Sequence, residues 1–116
     1  MSRLHPSGAL AANVRRASQL LKAMANDRRL IVLMHLADGE KSVGQLERLV
    51  GLSQSALSQH LARLRREKVV ATRREKQTIY YSFANGEASA VMAALQDAYR
   101  AADAPVRDSA VRDAAD

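Results

Sequence analysis

The sequence predicts a mainly α fold with a small β-hairpin, in the order α-α-α-α-β-β-α. Three observations carry that prediction. Apolar residues recur at three- and four-residue spacing in stretches separated by Asn, Asp, Ser and Gly, the residues that start and stop helices. Only two adjacent runs, 69–74 and 78–83, have the β-branched and aromatic character of strands. The composition is 47% hydrophobic but 3% aromatic, aliphatic and alanine-rich in a way that suits packed helices better than a large sheet. A length of 116 residues fits one domain. We expect a flexible arm over 1–8, which holds Pro6 and Gly8 without periodicity, a folded domain over 9–103, and a flexible tail over 104–116.

The first helix is expected to begin near Ala9. Leu10, Val14, Ala17, Leu21 and Met24 make a narrow apolar stripe of coiled-coil type, with Arg15, Arg16 and Lys22 away from it. That stripe needs a partner, either the core of the same chain or the same helix of a second copy. Asn26 or Asp27 caps a second helix by accepting from free amides of its first turn. Leu30, Ile31, Leu33, Met34 and Leu36 make it the most apolar helix, and Gly39 ends it. Arg28 and Arg29 sit at its start, against the helix dipole, which points to a phosphate contact or a carboxylate pair.

Ser42 caps a short third helix carrying Val43, Leu46, Leu49 and Val50, and Gly51, Leu52 and Ser53 turn the chain into a fourth over 53–66. Within it Leu57, Leu61 and Leu64 mark one face, while Gln54, Ser55, Ser58, Gln59, Ala62, Arg63 and Arg66 take the other directions. Alone this describes any amphipathic helix with a solvated face. Preceded by a short helix and a glycine-containing turn, it has the helix-turn-helix pattern, whose second member enters the DNA major groove. Gln54, Ser55, Ser58 and Gln59 have the donors and acceptors that base edges require. Ser53, Arg63 and Arg66, with Arg28 and Arg29, are candidates for the DNA backbone.

Residues 69–74 and 78–83 read as a hairpin closed by Glu75, Lys76 and Gln77. Its basic end, with Arg73, Arg74, Lys76, Gln77 and Thr78, would project beside the reading helix as a wing; the other reading is solvated charge protecting a sheet edge. Asn85 or Gly86 opens a last helix whose stripe is Ala88, Val91, Met92, Leu95, Ala98, Tyr99 and Ala102. Together the elements describe a winged helix-turn-helix, dimeric through its terminal helices. The expected dimer interface is Leu10, Val14, Ala17, Leu21, Val91, Leu95 and Tyr99.

Charge favours the same partner. The net charge is +6, with six basic and two acidic residues in 1–39, nine and four in 40–76, and three and six in 77–116. A cationic surface gains sequence-independent affinity for nucleic acid by releasing counterions from phosphates. The absence of cysteine excludes disulfides, thiolate metal sites and thiol redox sensing. No apolar run approaches the ~18 residues of a membrane span, and 1–8 lacks the pattern of a signal peptide, so a cytoplasmic location is expected. His5, His35 and His60 are too few and too scattered for a metal site. His35 is expected at the core boundary of the second helix, and His60 near the DNA backbone. No Gly-rich phosphate loop, GxSxG or HExxH is present, and no nucleophile and base cluster. No enzyme, cofactor or metal is expected. Two functions fit: a dimeric sequence-specific regulator of transcription that acts on double-stranded DNA, or a winged protein-interaction module without operator binding whose basic face meets an acidic partner.

The run from Leu52 through Ser53, Gln54, Ser55, Ala56, Leu57, Ser58, Gln59, His60, Leu61, Ala62, Arg63 and Leu64 to Arg65 and Arg66, followed by Val69–Ala71 and Thr78–Ser82, resembles the ArsR family of bacterial winged-helix repressors. Leu21–Leu30 resembles the family's segment between its first two helices, and the resemblance extends over about residues 12–102. It implies a homodimer with terminal helices at the interface, repressing from a palindromic operator. It carries over no ligand. Where the family's metal sensors place a cysteine pair this chain has Ser42, Val43 and Gly44, and where others place His and acidic residues it has Asn85, Glu87, Ala98 and Ala101. The thiol-switch and nodulation-repressor-like branch is the most similar. Its two cysteine positions correspond here to Met34 and about Arg100, so that switch is excluded, and the effector is left unidentified.

Overall fold

The computed structural model of the chain describes residues 8–103; the expected arm over 1–7, with His5, and the expected tail over 104–116 lie outside the described residues. The elements run α1 (Gly8–Ala12), α2 (Val14–Met24), α3 (Asp27–Ala37), β1 (Lys41–Ser42), α4 (Val43–Val50), α5 (Gln54–Arg66), β2 (Val70–Glu75), β3 (Thr78–Phe83) and α6 (Gly86–Asp103). The first expected helix begins at Gly8 and is interrupted at Asn13, whose side-chain amide donates to the Ala9 carbonyl at 2.7 Å. Asn competes with backbone pairing in this way, and the interruption leaves two helices where one stripe predicted one.

The expected caps form. Asn26 Oδ1 accepts from the Arg29 amide at 3.0 Å, so Asn26 rather than Asp27 opens α3. Ser42 Oγ accepts from the Gln45 amide at 3.1 Å while Gln45 Oε1 accepts from the Ser42 amide at 2.8 Å, a reciprocal box that satisfies two free donors of α4. Gly51 ends α4 in the left-handed region at φ 69, where a side chain would be strained. Two residues later Ser53 accepts from the Ala56 amide at 3.1 Å and starts α5.

The core joins α2, α3, α4, α5, the sheet and α6. Val32, Leu33, Leu46, Leu57, Leu64 and Val69 are its largest fully enclosed side chains, with Ala88 and Met92 closing it from the first turns of α6. No charged or polar side chain is buried among the described residues, so apolar burial carries the fold. The sheet has the order β1-β3-β2, all antiparallel. Strand β2 starts one residue later than expected and runs on to Glu75, which pairs with Thr78. The connection is therefore the two residues Lys76 and Gln77, with Lys76 at φ 60. Strand β1 was not legible in the sequence; it pairs Lys41 with Tyr81 and Ser42 with Tyr80, and so fixes the start of α4 to the hairpin.

Candidate nucleic-acid interface

Helix α5 is divided as its periodicity predicts. Leu57, Leu61 and Leu64 are buried, whereas Gln54, Ser55, Ser58, Gln59, Ala62, Arg65 and Arg66 are exposed. Burying three leucines fixes the roll of the helix about its axis, and that roll aims the short polar side chains outward together. Arg65 belongs with them: it shares a groove with Ser58, Ala62, Arg66 and Tyr81 between α5 and the sheet. Arg65 is an addition to the candidates named from the sequence, and its signal there is the spacing 58, 62, 65, which puts it on the Ser58 side of the helix. Arg63 instead is half-buried on the side facing α3.

There the charge of Arg63 lies near Arg29, which in turn reaches His60. Arg29 Nε donates to the Ala23 carbonyl and its Nη1 lies 3.5 Å from His60 Nδ1, so this arginine links the end of α2, the start of α3 and the reading helix. Burial and then the charge of Arg63 lower the pKa of Arg29. Arg28 adds a further positive charge near His60, and Asp27 opposes it. Of the two readings of Arg28 and Arg29, the carboxylate pair is not formed: among the described residues no ion pair engages Arg28, Arg29, Arg63, Arg65, Arg66, Arg74 or Lys76. Positive charge without carboxylate partners is therefore concentrated around the polar face of α5.

The His60 contact gives a pH dependence. Its pKa is lowered by burial, then by Arg29 and Arg28, against a smaller raising effect of Asp27. A histidine held below its ordinary value of 6.5 binds fewer protons folded than unfolded, so stability is full above that value and is lost as pH falls through the folded-state pKa. Acid unfolding curves of the wild type and His60→Gln should therefore diverge below about pH 6.5, the variant showing the shallower decline. Parallel curves would remove His60 from the balance.

The wing residues Arg73, Arg74, Lys76, Gln77 and Thr78 are all exposed. Gln77 and Thr78, at the tip, adjoin Ser42, Val43 and Gly44 at the start of α4. Strand alternation separates the two arginines: Arg74 follows Val70 and Thr72 on the face that packs on the core, and Arg73 follows Ala71 on the outer face. Arg73 is engaged with Glu40 and Glu75 and stacks over Tyr80. Glu40 was not foreseen, and no local pattern pairs it with a strand 33 residues away.

The expected dimer residues divide into two groups. Leu10, Val14 and Leu21 are 55%, 57% and 51% exposed, and with Ala17 they line an open apolar groove on α1 and α2. Val91 packs against the core, while Leu95 and Tyr99 are exposed farther along α6 beside Leu30, Met34 and Met92. Among the described residues no group of His, Cys, Asp and Glu is placed to hold a metal ion, and no helix is long and apolar enough to cross a membrane.

A helix-turn-helix packed on the core with an exposed polar face on its second helix, a two-stranded wing, and arginines free of ion pairs around them define a winged-helix DNA-binding regulator. Comparison with known proteins gives the family. Residues 26–72 match the family model described as bacterial regulatory protein, arsR family. The chain is 52% identical over 87 residues to the transcriptional activator HlyU of Vibrio cholerae, covering 75% of this chain and 81% of that protein. The solved structure of that HlyU superposes with a TM-score of 0.72. The nodulation protein NolR of Rhizobium meliloti is 51% identical over 83 residues, covering 72% of this chain and 68% of that protein. A homodimeric winged helix-turn-helix DNA-binding domain, Mb0332 of Mycobacterium bovis, is 31% identical with a TM-score of 0.70, over 81% of this chain and 87% of that one. The chain belongs to the ArsR family of DNA-binding transcriptional regulators, and is not an enzyme.

Proposed function

We propose that the protein is a cytoplasmic homodimeric repressor that binds a palindromic operator, each protomer placing the 53–66 helix in the major groove and the 73–78 wing beside it. The observation that carries this reading is the exposed polar face of α5, flanked by arginines without carboxylate partners. Gln54, Ser55, Ser58 and Gln59 read base edges. Ser53, Arg28, Arg29, Arg63 and Arg66 hold the backbone, and Arg74, Lys76, Gln77 and Thr78 approach it from the wing. Self-association through Leu10, Val14, Ala17, Leu21, Leu95 and Tyr99 buries the apolar groups that one protomer leaves exposed, and a homodimeric relative has the same fold. Repression asks nothing more of the molecule, because occupancy of promoter DNA suffices.

Base and phosphate contacts separate by their response to sequence. Gln59→Ala should weaken operator binding by about 1–3 kcal/mol per lost base contact while sparing random DNA. Arg74→Ala should weaken both and reduce the salt slope by about one per wing. Equal losses on operator and random DNA for Gln59→Ala would remove it from base reading, and a folded dimer that shifts no upstream DNA at low salt would favour the protein-interaction module. The similarity to HlyU, named an activator, favours activation as the second reading. A reporter behind the bound promoter decides between them, its output falling when the protein is expressed if it represses and rising if it activates.

A further inference from the structure

We propose that Glu40, Arg73 and Glu75 form a clamp across the outer face of the sheet that positions the wing against the helix-turn-helix, so that Arg73 supports DNA binding without touching DNA. Arg73 Nε and Nη2 donate to Glu40 Oε2 and Oε1 at 2.7 and 2.8 Å, a two-pronged contact, and Nη1 donates to Glu75 Oε1 at 2.8 Å. The guanidinium lies 4.5 Å from the centre of the Tyr80 ring, on the central strand β3. It thus reaches from β2 over β3 to the residue that precedes β1. Two residues beyond Glu40, Ser42 caps α4. The clamp therefore ties the hairpin to the first helix of the helix-turn-helix.

Three features distinguish this arginine from a phosphate ligand. All three of its nitrogens are already engaged by carboxylates. One positive and two negative groups leave the cluster at a net −1, which repels a phosphate. Its side chain also lies on the sheet face opposite the one Arg74 follows. Isolated exposed ion pairs contribute little, but a two-pronged fork stacked on an aromatic ring, with a third partner, has the fixed geometry that isolated pairs lack. The Arg73 bonds also hold the Glu40 carboxyl below its ordinary pKa, keeping it charged for the contact.

This role rests on the reading that the wing meets phosphates, and the test separates the two. Operator affinity of the full-length protein is measured against salt for Glu40→Gln, Arg73→Lys, Arg74→Ala and the double variant Glu40→Gln/Arg74→Ala, with melting curves as a control for folding. Removing the negative charge of Glu40 would by electrostatics alone tighten binding to DNA. The clamp predicts the opposite sign, a loss of roughly fivefold with a shallower salt slope. Arg73→Lys keeps the charge but not the fork and should lose as much. Adding Glu40→Gln to Arg74→Ala should cost little more, since both act through one contact. Tighter or unchanged binding by Glu40→Gln, or wild-type binding by Arg73→Lys, overturns the clamp while Arg74→Ala still weakens binding. If Arg74→Ala leaves affinity unchanged, the wing reading fails and the clamp's role in DNA binding fails with it.

Discussion

Truncating Leu57 to alanine is expected to lower folding stability by about 2–5 kcal/mol. Leu57 is fully enclosed, on the reading helix, in the cluster that joins α3, α4 and α5. Its removal loses the transfer free energy of the side chain and leaves a cavity that tightly packed neighbours fill only in part. Denaturant midpoints at fixed protein concentration measure the loss, with an unchanged slope showing that the unfolding reaction is the same one. Gln54→Ala, one turn away and exposed, should stay within about 0.5 kcal/mol. The contrast has a functional side: Leu57, Leu61 and Leu64 are the fully buried side chains of α5, so they do most to set the roll that presents Gln54, Ser58 and Gln59. A Leu57→Ala protein that remains folded should therefore bind operator less selectively. A loss under 1 kcal/mol would mean that the helix is held by something other than its leucine face.

What was legible in the sequence depended on contacts that are local along the chain. The leucine spacing of α5 and the Ser42 and Ser53 caps all close within one or two turns, so residue type and interval were sufficient to place them, while the return bond from Gln45 to Ser42 is added by the structure. The β2 and β3 hairpin likewise closes within two residues. Strand β1 is two residues long and exists only because Lys41 and Ser42 meet Tyr81 and Tyr80 across about half the domain, so no local signal could announce it. A comparable separation, 33 residues, hid Glu40 as the partner of Arg73, which lies beside Arg74 in the sequence. Three-dimensional alternation puts them on opposite faces with opposite surroundings. Arg28 and Arg29 were legible as an anomaly, cations at a helix start, but only packing against α5 turned that anomaly into a cluster with His60 and Arg63.

The stripe on α1 and α2 is where a local pattern left two outcomes open, and a substitution there carries the second large effect. Leu21→Glu should convert the protein to a monomer at concentrations where the wild type sediments as a dimer, because it places a carboxylate where the proposed interface is apolar. Leu21 is half exposed within a protomer and Glu is a good helix former, so the circular dichroism spectrum should be unchanged. Operator affinity should fall far more than any reading-helix contact explains. In a dimer the second half-site binds as an intramolecular event, a gain on the order of 10²–10⁴ that needs no new contact and vanishes with the linkage. Affinity for an isolated half-site should fall hardly at all, since the stripe lies on α1 and α2 and the exposed polar residues proposed to read bases lie on α5. A Leu21→Glu protein that still sediments as a dimer would assign the stripe another occupant and leave the interface to Leu95 and Tyr99. A monomer that keeps its half-site preference would show that base reading belongs to the protomer and palindrome reading to the pair, with the half-sites about one helical turn apart.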